Sequence, residues 1–384
     1  MKQTTANGKN NLFSLSIFFR CSVTLIIFFT LIHDQTFANP NAYVANNSDD
    51  SVTVFDTDTD MVIGPLIFVG VGPYTIAITP DGNFAYVANS SSNDVYVIDT
   101  NTNLVVGAPI SVGSSPNGIA ANPNGESVYV VNYNDGTVSV IDTSSYTVVS
   151  VITVGSEPTG IAFTPNGSFA YVANSADNNV SVIDTNSLMV VGAAIGVNST
   201  PESIAITPDG QKAYVVCSGS DTVVVINTNT NTIIGFPITV GGYPFGIAIT
   251  PNGEFAYVTN RNDDTVSVIA TNTNTLFAMP ISVGDNPQGI AIKPDGSVVY
   301  VCNNGNDNVS VIDILSNTVV GSPIPVDTNP VGIAIVPPPI PPSAKDGKAI
   351  FHIDFDQHSH RRHYQPYFPR HNNKSPHYTP HHRR

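Results

Sequence analysis

Two glutamates, Glu157 and Glu202, carry the side chains best suited to acid and base chemistry in this 384-residue chain. Glu157 directly precedes Pro158, and Glu202 directly follows Pro201, so both lie in copies of one proline-containing loop. Two carboxylates that share a site can act as general acid and general base in a hydrolase or a lyase. Drift among exposed loop positions would produce the same pattern, so both interpretations stay open at this point.

Other reactive groups are scarce. The region from residue 39 to residue 336 contains no histidine, because one of the nine histidines is His33 and the other eight follow residue 342. A histidine general base and a histidine-ligated metal or haem are therefore excluded from this region. The chain lacks tryptophan, and no G-x-S-x-G, C-x-x-C or phosphate-binding loop occurs in it. We therefore expect no cofactor, and no nucleophile activated by a neighbouring base.

The acidic stretch DTDTD at 56–60 begins like a calcium-binding loop. Such a loop needs glycine at its sixth position and glutamate at its twelfth, and the following MVIGPLI provides neither. The stretch occupies the place of DTNTN in other copies of the repeat described next. We interpret it as a turn whose side chains bond the local backbone, and we expect no metal site between residues 39 and 336.

The elements that position these residues recur seven times along the chain. A Tyr-Val pair returns at intervals of 43, 43, 42, 43, 43 and 43 residues, and a proline returns with the same period. The tyrosines are Tyr43, Tyr86, Tyr129, Tyr171, Tyr214, Tyr257 and Tyr300. The prolines are Pro73, Pro116, Pro158, Pro201, Pro244, Pro287 and Pro330. This regularity predicts an architecture built from repeated units.

One period contains four short apolar segments separated by turn signals. In residues 246–288 the segments are GIAIT, FAYVTN, TVSVIA and LFAMPISVG, and the turn TPNG separates the first two. Four strands make one propeller blade, and consecutive apolar residues indicate that both faces of each sheet are covered. We therefore predict an all-β fold, a seven-bladed β-propeller of four-stranded antiparallel blades, over residues 39–336.

The last copy of the repeat is incomplete. It stops after NPVGIAIV at 329–336, whereas the first copy starts at Tyr43 with the second strand of its unit. We predict that strand 329–336 completes the N-terminal blade and closes the ring, which removes an exposed sheet edge. Cys217 and Cys302 fall in units that are not neighbours in such a ring, so we expect no disulfide between them.

The repeat resembles the YVTN family of seven-bladed β-propellers. Residues 257–260 read YVTN, the same place reads YVAN at 43, 86 and 171, and segments of the form xPxGIAITPDG and VSVIDT accompany it. The resemblance covers residues 39–336 and implies the propeller fold. It implies less about function, because the family includes archaeal surface-layer proteins and exported bacterial proteins of unassigned role, and it looks like a relative of lactonase-type and cofactor-carrying propellers.

The residues on either side of each recurring proline vary from unit to unit, whereas the frame does not. In a four-stranded blade, the loop that carries the proline and the loop between the second and third strands project from the same face, and a rigid scaffold commonly presents function on such loops. We predict that variable residues of these loops form a rim that binds sugar rings or peptide segments. The predicted rim residues are Tyr74, Asn117, Glu157, Glu202, Tyr243, Phe245, Arg261 and Gln288.

Charge is distributed unevenly along the chain, with net values of +2 for residues 1–38, −22 for 39–342 and +5 for 343–384. An acidic body repels the phosphate backbone, so we expect no nucleic-acid binding by the propeller. Residues 1–38 resemble a signal peptide with the apolar run CSVTLIIFFTLI, and an uncleaved anchor is the alternative. We therefore expect export to the periplasm, the cell surface or the medium.

The C-terminal segments differ in composition from the repeat. Residues 337–342 read PPPIPP and predict a stiff hinge, and residues 343–384 form a basic, histidine-rich tail that we expect to be disordered. The positive tail suits contact with an anionic surface. Flexible histidine tracts also bind metal ions adventitiously, so the tail offers a weak candidate site. Its ligands would be His358, His360 and His363.

Together, the regular frame and the scarcity of catalytic groups predict an exported, non-catalytic propeller that acts as a binding or surface scaffold. An envelope glycan or a protein segment is the expected ligand at the rim, and we expect a monomer. The alternative is a lactonase-like or lyase-like enzyme that uses the rim carboxylates Glu157 and Glu202.

Overall fold

In each blade, the innermost strand begins at the recurring proline, which suits the first position of a strand because it has no N–H to donate. The computed structural model describes residues 40–338, and seven antiparallel sheets account for this range. We number the blades along the chain, so that the first blade is the one that contains Tyr43. The innermost strands of blades two to seven, followed by that of the first blade, are Pro73–Ile78, Pro116–Ala121, Pro158–Phe163, Pro201–Ile206, Pro244–Ile249, Pro287–Ile292 and Pro330–Ile335. Those of neighbouring blades contact one another around the axis.

The second strand of each blade carries the Tyr-Val pair and is almost fully buried. The second strands are Asn41–Asn46, Phe84–Asn89, Ser127–Asn132, Phe169–Asn174, Lys212–Cys217, Phe255–Asn260 and Val298–Asn303. The third strands are Ser51–Asp56, Asp94–Asp99, Thr137–Asp142, Asn179–Asp184, Thr222–Asn227, Thr265–Ala270 and Asn308–Asp313. Both sets carry consecutive apolar residues because the adjoining blades cover both faces of each sheet.

The outer strand is continuous in three blades and divided into two short pieces in the other four. The continuous strands are Leu104–Ser111, Thr147–Thr153 and Thr318–Pro325. The divided ones are Met61–Val62 with Ile67–Phe68, Met189–Val190 with Ile195–Gly196, Thr232–Ile233 with Ile238–Thr239, and Thr275–Leu276 with Ile281–Ser282. In residues 40–338 the one helix is the 3₁₀ turn Ser218–Ser220, and no helix there is long and apolar enough to cross a membrane.

The predicted ring closure is confirmed. Strand Pro330–Ile335 pairs antiparallel with Asn41–Asn46, so that Tyr43 faces Ala334 and Val44 faces Ile333. The N-terminal blade therefore takes its innermost strand from the C-terminal end of the repeat. Cys217 and Cys302 are buried and unbridged, as expected.

Five of the seven recurring tyrosines donate a hydrogen bond from the hydroxyl group to the next blade. The hydroxyl of Tyr257 donates to Asn317 Oδ1 at 2.7 Å, and that of Tyr300 donates to Asp60 Oδ1 at 2.8 Å across the ring closure. These acceptors lie in the turn between the third and outer strands of the following blade. Where Tyr146 stands at this turn position, the hydroxyl of Tyr86 is buried without a partner.

The stretch DTDTD at 56–60 forms the predicted turn. Asp56 Oδ1 accepts hydrogen bonds of 2.9 Å from the backbone N–H groups of Asp58 and Thr59, and Asp60 serves the tyrosine contact described above. The predicted signal peptide at 1–38, the tail at 343–384 with its three candidate histidine ligands, and most of the hinge at 337–342 lie outside the described residues.

Candidate functional site

One face of the ring, called the proline face here, brings together the loops that end in the recurring prolines and the loops between the second and third strands. Within each blade the two loops are hydrogen-bonded: Arg261 N donates to Tyr243 O, and Tyr133 N donates to Ser115 O, both at 3.1 Å. The residue before the proline has a positive φ in all seven blades, including 50° at Glu157. This conformation therefore belongs to the repeat and is not strain at a single site.

An axial cavity of about 180 Å³ is lined at the proline face by the residue that follows the proline in six of the seven blades. These residues are Tyr74, Asn117, Thr159, Glu202, Phe245 and Val331. In the seventh blade, Gln288 is only 5% exposed and does not line the cavity. Four of the eight predicted rim residues therefore meet at the axis, and Gln288 is not among them.

Close packing of the innermost strands fixes the cavity wall. Five of the seven blades carry glycine after the wall residue, and a Cβ added at Gly118 would lie 2.2 Å from the carbonyl oxygen of Thr159 in the next blade. Thr75 holds this position in the second blade, where its hydroxyl donates to the carbonyl oxygen of Asn117. The wall residues thus stand on a rigid element, which a site of defined geometry requires.

Glu202 is the one carboxylate among the described residues that line the axial cavity. Its Oε1 accepts a hydrogen bond of 3.0 Å from Ser218 Oγ. Burial raises the pKa of Glu202, whereas the Ser218 hydrogen bond and the positive charge of Arg261 act to lower it. The carboxylate is therefore more basic than an exposed one, and two neighbours still support its charged form.

Arg261 is held from several sides at the edge of the cavity. Its guanidinium carbon lies 5.7 Å from the ring centroid of Tyr243 and 5.9 Å from that of Phe245, distances typical of cation–π contacts. Its Nε donates to Asn286 Oδ1 at 2.6 Å. Arg261 also borders an open depression of about 480 Å³ together with Tyr243, Asn262 and Asn286. The guanidinium is thus oriented by contacts that leave its terminal nitrogens without hydrogen bonds to the described residues.

Tyr74 stands in the wall with its hydroxyl group protonated. Burial raises its pKa to about 12, the charge of Glu202 adds to the rise, and the charge of Arg261 opposes it. Tyr74 is therefore a neutral hydrogen-bond donor at neutral pH. These pKa effects show that Tyr74, Glu202 and Arg261 share one electrostatic environment.

Glu157 lies outside the cavity lining and is exposed. It accepts a hydrogen bond of 2.8 Å from the Tyr133 hydroxyl. Burial, followed by this hydrogen bond and the charge of Glu157, raises the pKa of Tyr133 to about 12. The structure therefore does not bring both predicted carboxylates into the cavity. Glu202 is in the wall, and Glu157 is at the outer rim.

Ser218 and Tyr133, which donate hydrogen bonds to Glu202 and Glu157, were not among the predicted site residues. Both occupy the repeat position of Arg261, the first residue after the second strand. The equivalent residues Asn47 and Asn304 instead donate to the carbonyl oxygens of Pro73 and Pro330. This position holds Asn, Ser, Tyr or Arg in the seven blades, a narrower variation than at the positions beside the proline, and that variation was the signal available in the sequence.

The arrangement supplies the parts of a hydrolytic site. Glu202 can take a proton from a water molecule, because a buried carboxylate with a raised pKa is suited to general-base catalysis. Arg261 and Tyr74 offer positive charge and a hydrogen-bond donor for an oxygen that becomes negative during the reaction. Phe245 gives the wall an apolar surface.

The chain matches a known family of propellers. A model of the lactonase, seven-bladed beta-propeller family matches residues 113–235, 143–276 and 204–324, which together span more than half of the chain. No curated protein matches the chain.

Several solved structures share the fold. A functionally unknown protein from Desulfotomaculum acetoxidans is 22% identical, with a TM-score of 0.69 over 78% of this chain and 99% of that one. A protein of Bacteroides uniformis assigned as a 6-phosphogluconolactonase is 17% identical, with a TM-score of 0.67 over 78% and 100% of the two chains. The periplasmic gluconolactonase of Pseudomonas aeruginosa is 19% identical, with a TM-score of 0.66 over 77% and 99%. At such identities these structures support the fold alone.

The family match shows that the prediction of a non-catalytic binding scaffold is wrong, and it favours the lactonase alternative. That prediction rested on the absence of histidine and tryptophan from residues 39–336. A carboxylate in a buried setting can supply the general base that a histidine supplies elsewhere, so these absences do not exclude catalysis. The expected glycan or protein ligand and the expected monomer remain predictions.

Proposed function

Because the chain belongs to the lactonase family of seven-bladed β-propellers, we propose that it hydrolyses a lactone at the mouth of its axial cavity. The observation that carries the proposal is the position of Glu202, a carboxylate in the cavity wall whose pKa is raised by burial. Two residues complete the proposed site: Arg261, whose positive charge acts to lower the pKa of that carboxylate, and Tyr74, whose own pKa the carboxylate helps to raise.

In the proposed reaction, the ionised Glu202 removes a proton from water as the water oxygen bonds to the carbonyl carbon of the lactone. The carbonyl oxygen gains negative charge, which Arg261 and the Tyr74 hydroxyl stabilise. The bond between that carbon and the ring oxygen then breaks, and the proton on Glu202 passes to the departing alkoxide oxygen. The product is an open-chain hydroxy acid, and Glu202 is ionised again.

Glu202, and not Glu157 at the outer rim, is proposed as the base. Glu157 is exposed and is already hydrogen-bonded to Tyr133. A base works best when its pKa approaches the working pH, and burial moves Glu202 in that direction. The pairing of Glu157 and Glu202 as acid and base is therefore replaced in this proposal by a single carboxylate that acts in both steps.

The test is hydrolysis of a panel of lactones by the full chain, followed through acid release. We expect Glu202→Gln to lower kcat by at least about 100-fold, because general acid–base groups commonly contribute 10²–10⁴-fold. Glu126→Gln, which removes an equal charge on the opposite face of the ring, is the matched control and should leave kcat unchanged. Full activity in Glu202→Gln would show that Glu202 is not the base.

The YVTN character of the repeat and export from the cytoplasm form part of the same proposal. The YVTN and YVAN segments lie on the second strands, and the signal-like segment at 1–38 supports export. The periplasmic location of the Pseudomonas aeruginosa gluconolactonase agrees with this. N-terminal sequencing of the protein recovered from an envelope fraction is expected to start at Asn39, and an intact Met1 would contradict cleavage.

A further inference from the structure

We propose that the substrate is an uncharged lactone, and that this site discriminates against lactones that carry a phosphate ester. This inference rests on the proposed function and adds the class of substrate. It follows from the charges at the cavity mouth, from the charges of the whole proline face, and from the backbone N–H groups that an anion would need.

Positive charge is nearly absent from the mouth of the cavity. Among the described residues there are three cations, and Arg261 alone lies on the proline face. Lys212 bonds Thr271 O on the opposite face, and Lys293 forms an ion pair of 2.7 Å with Asp58 there. Arg261 is therefore the single positive charge at this mouth, with Glu202 in the wall and Glu157 at the outer rim. A doubly charged phosphate at this mouth would meet one positive charge and two negative ones.

The wider proline face is strongly acidic. Its loops and strand ends hold thirteen acidic residues against this one arginine. They are Asp49, Asp50, Asp94, Asp135, Glu157, Asp177, Glu202, Asp221, Asp263, Asp264, Asp285, Asp307 and Asp327. A face of one sign lowers the local concentration of ligands with the same sign and slows their arrival. The field therefore acts against an anionic substrate before it reaches the cavity.

The backbone N–H before the recurring proline is already occupied in every blade but the fourth, where Gly136 stands in place of the Asx acceptor for Glu157 N. In six of the seven blades, the N–H of the residue before the proline donates to an Asx side chain from the preceding blade, as Tyr243 N does to Asp221 Oδ1 at 2.8 Å and Ser115 N does to Asn93 Oδ1 at 2.7 Å. Anions bind commonly to unpaired backbone N–H groups or to a helix N-terminus. In residues 40–338 the one helix is a 3₁₀ turn of three residues, so no helix N-terminus there can hold a phosphate, and the one N–H of this set without an Asx partner belongs to the acidic residue Glu157.

The same charges favour release of the product. Hydrolysis of an uncharged lactone creates a carboxylate beside Glu202, on a face that holds thirteen acidic residues and one arginine. Repulsion from Glu202 and from this face acts on the product and not on the uncharged substrate, and it opposes the attraction of Arg261. The acidic face therefore does not oppose binding of an uncharged substrate, and it favours release of the anionic product.

The test compares gluconolactone with 6-phosphogluconolactone, and adds simple uncharged lactones, with the full chain at low and high salt. We expect kcat/KM to be at least about tenfold higher for gluconolactone than for 6-phosphogluconolactone. The ratio of the two kcat/KM values should fall as salt screens the acidic face. Preferential hydrolysis of the phosphate ester would overturn this inference and leave the proposed lactonase intact. Hydrolysis of no lactone in the panel would overturn the proposed function and this inference together.

A charge reversal at the rim provides a second readout. Glu157→Lys should raise kcat/KM for the phosphate ester several-fold relative to that for the uncharged lactone. Glu126→Lys makes the same change in total charge on the opposite face and should leave this ratio unaltered. An unaltered ratio in both variants, together with a ratio insensitive to salt in the native chain, would contradict electrostatic discrimination at the mouth.

Discussion

Ser218 Oγ donates a hydrogen bond of 3.0 Å to Glu202 Oε1, which joins the two loops of the fifth blade at the cavity mouth. Ser218 also begins the 3₁₀ turn Ser218–Ser220, and no other blade has such a turn within residues 40–338. The repeat therefore departs from its own pattern at the place where a carboxylate enters the cavity wall.

Removal of this bond should change the pH profile of the proposed hydrolysis. The hydrogen bond from Ser218 acts to lower the pKa of Glu202, so Ser218→Ala should raise that pKa further. A general base acts in its ionised form, and the acidic limb of kcat/KM should therefore move to higher pH in the variant. Ser90→Ala, at the equivalent position of the second blade, removes a hydroxyl that bonds Gly72 O and should leave the limb in place. Identical limbs in all three proteins would mean that Glu202 is not the titrating group.

Glu202 should also reduce the stability of the fold at neutral pH. Because its pKa is raised in the folded protein, the native state binds more protons than the unfolded state between the two pKa values, so its contribution to stability falls as pH rises through this window. Above the window, Glu202→Gln removes a buried charge and should raise Tm. Below the window the difference in Tm should shrink. Glu157→Gln, which changes an exposed carboxylate, is the control. A lower Tm for Glu202→Gln at neutral pH would count against burial of the charge.

The fold was predictable from the sequence because proline, tyrosine and turn residues repeat with one period. Seven copies of one pattern leave few alternatives for the pairing of strands. The last copy holds one strand only, and the strand that can pair with it is at the other end of the chain. The predictions for Tyr43 and for strand 329–336 are confirmed for this reason.

The site was predictable only in part, because a period places residues on a loop and does not orient their side chains. Glu157 precedes its proline at φ of 50° and lies at the outer rim, whereas Glu202 follows its proline and enters the strand that lines the axis. Gln288 shares the strand position of Glu202 and is nevertheless buried outside the lining. Which neighbour packs against each residue depends on the adjoining blade, and local sequence does not contain that information.

The tyrosine hydroxyls should differ in their contribution to stability according to their partners. Tyr257→Phe removes a hydrogen bond of 2.7 Å to Asn317 and should lower the free energy of unfolding by about 1 kcal/mol. Tyr86→Phe removes a buried hydroxyl that has no partner and should leave stability unchanged or increase it. Denaturant unfolding of both variants measures the contrast. Equal losses in the two would contradict the assignment of the Asn317 contact as a stabilising hydrogen bond.

Loss of the closing strand should destabilise the whole ring. A chain that ends after residue 328 lacks Pro330–Ile335, so the edge of strand Asn41–Asn46 is exposed and the buried side chain of Val331 is missing. We expect a loss of at least about 3 kcal/mol, because two buried valines, Val331 and Val336, are lost and fully burying each contributes roughly 1.5–3 kcal/mol. A chain that ends after residue 342 keeps this strand and should melt like the full chain.

A point variant tests ring closure without shortening the chain. Gly332→Ala places a Cβ 2.5 Å from Tyr74 O and should destabilise the ring, whereas the Cβ of Gly196→Ala meets no atom within 4 Å and should not. Equal melting temperatures for all four proteins would mean that strand Pro330–Ile335 does not hold the ring closed.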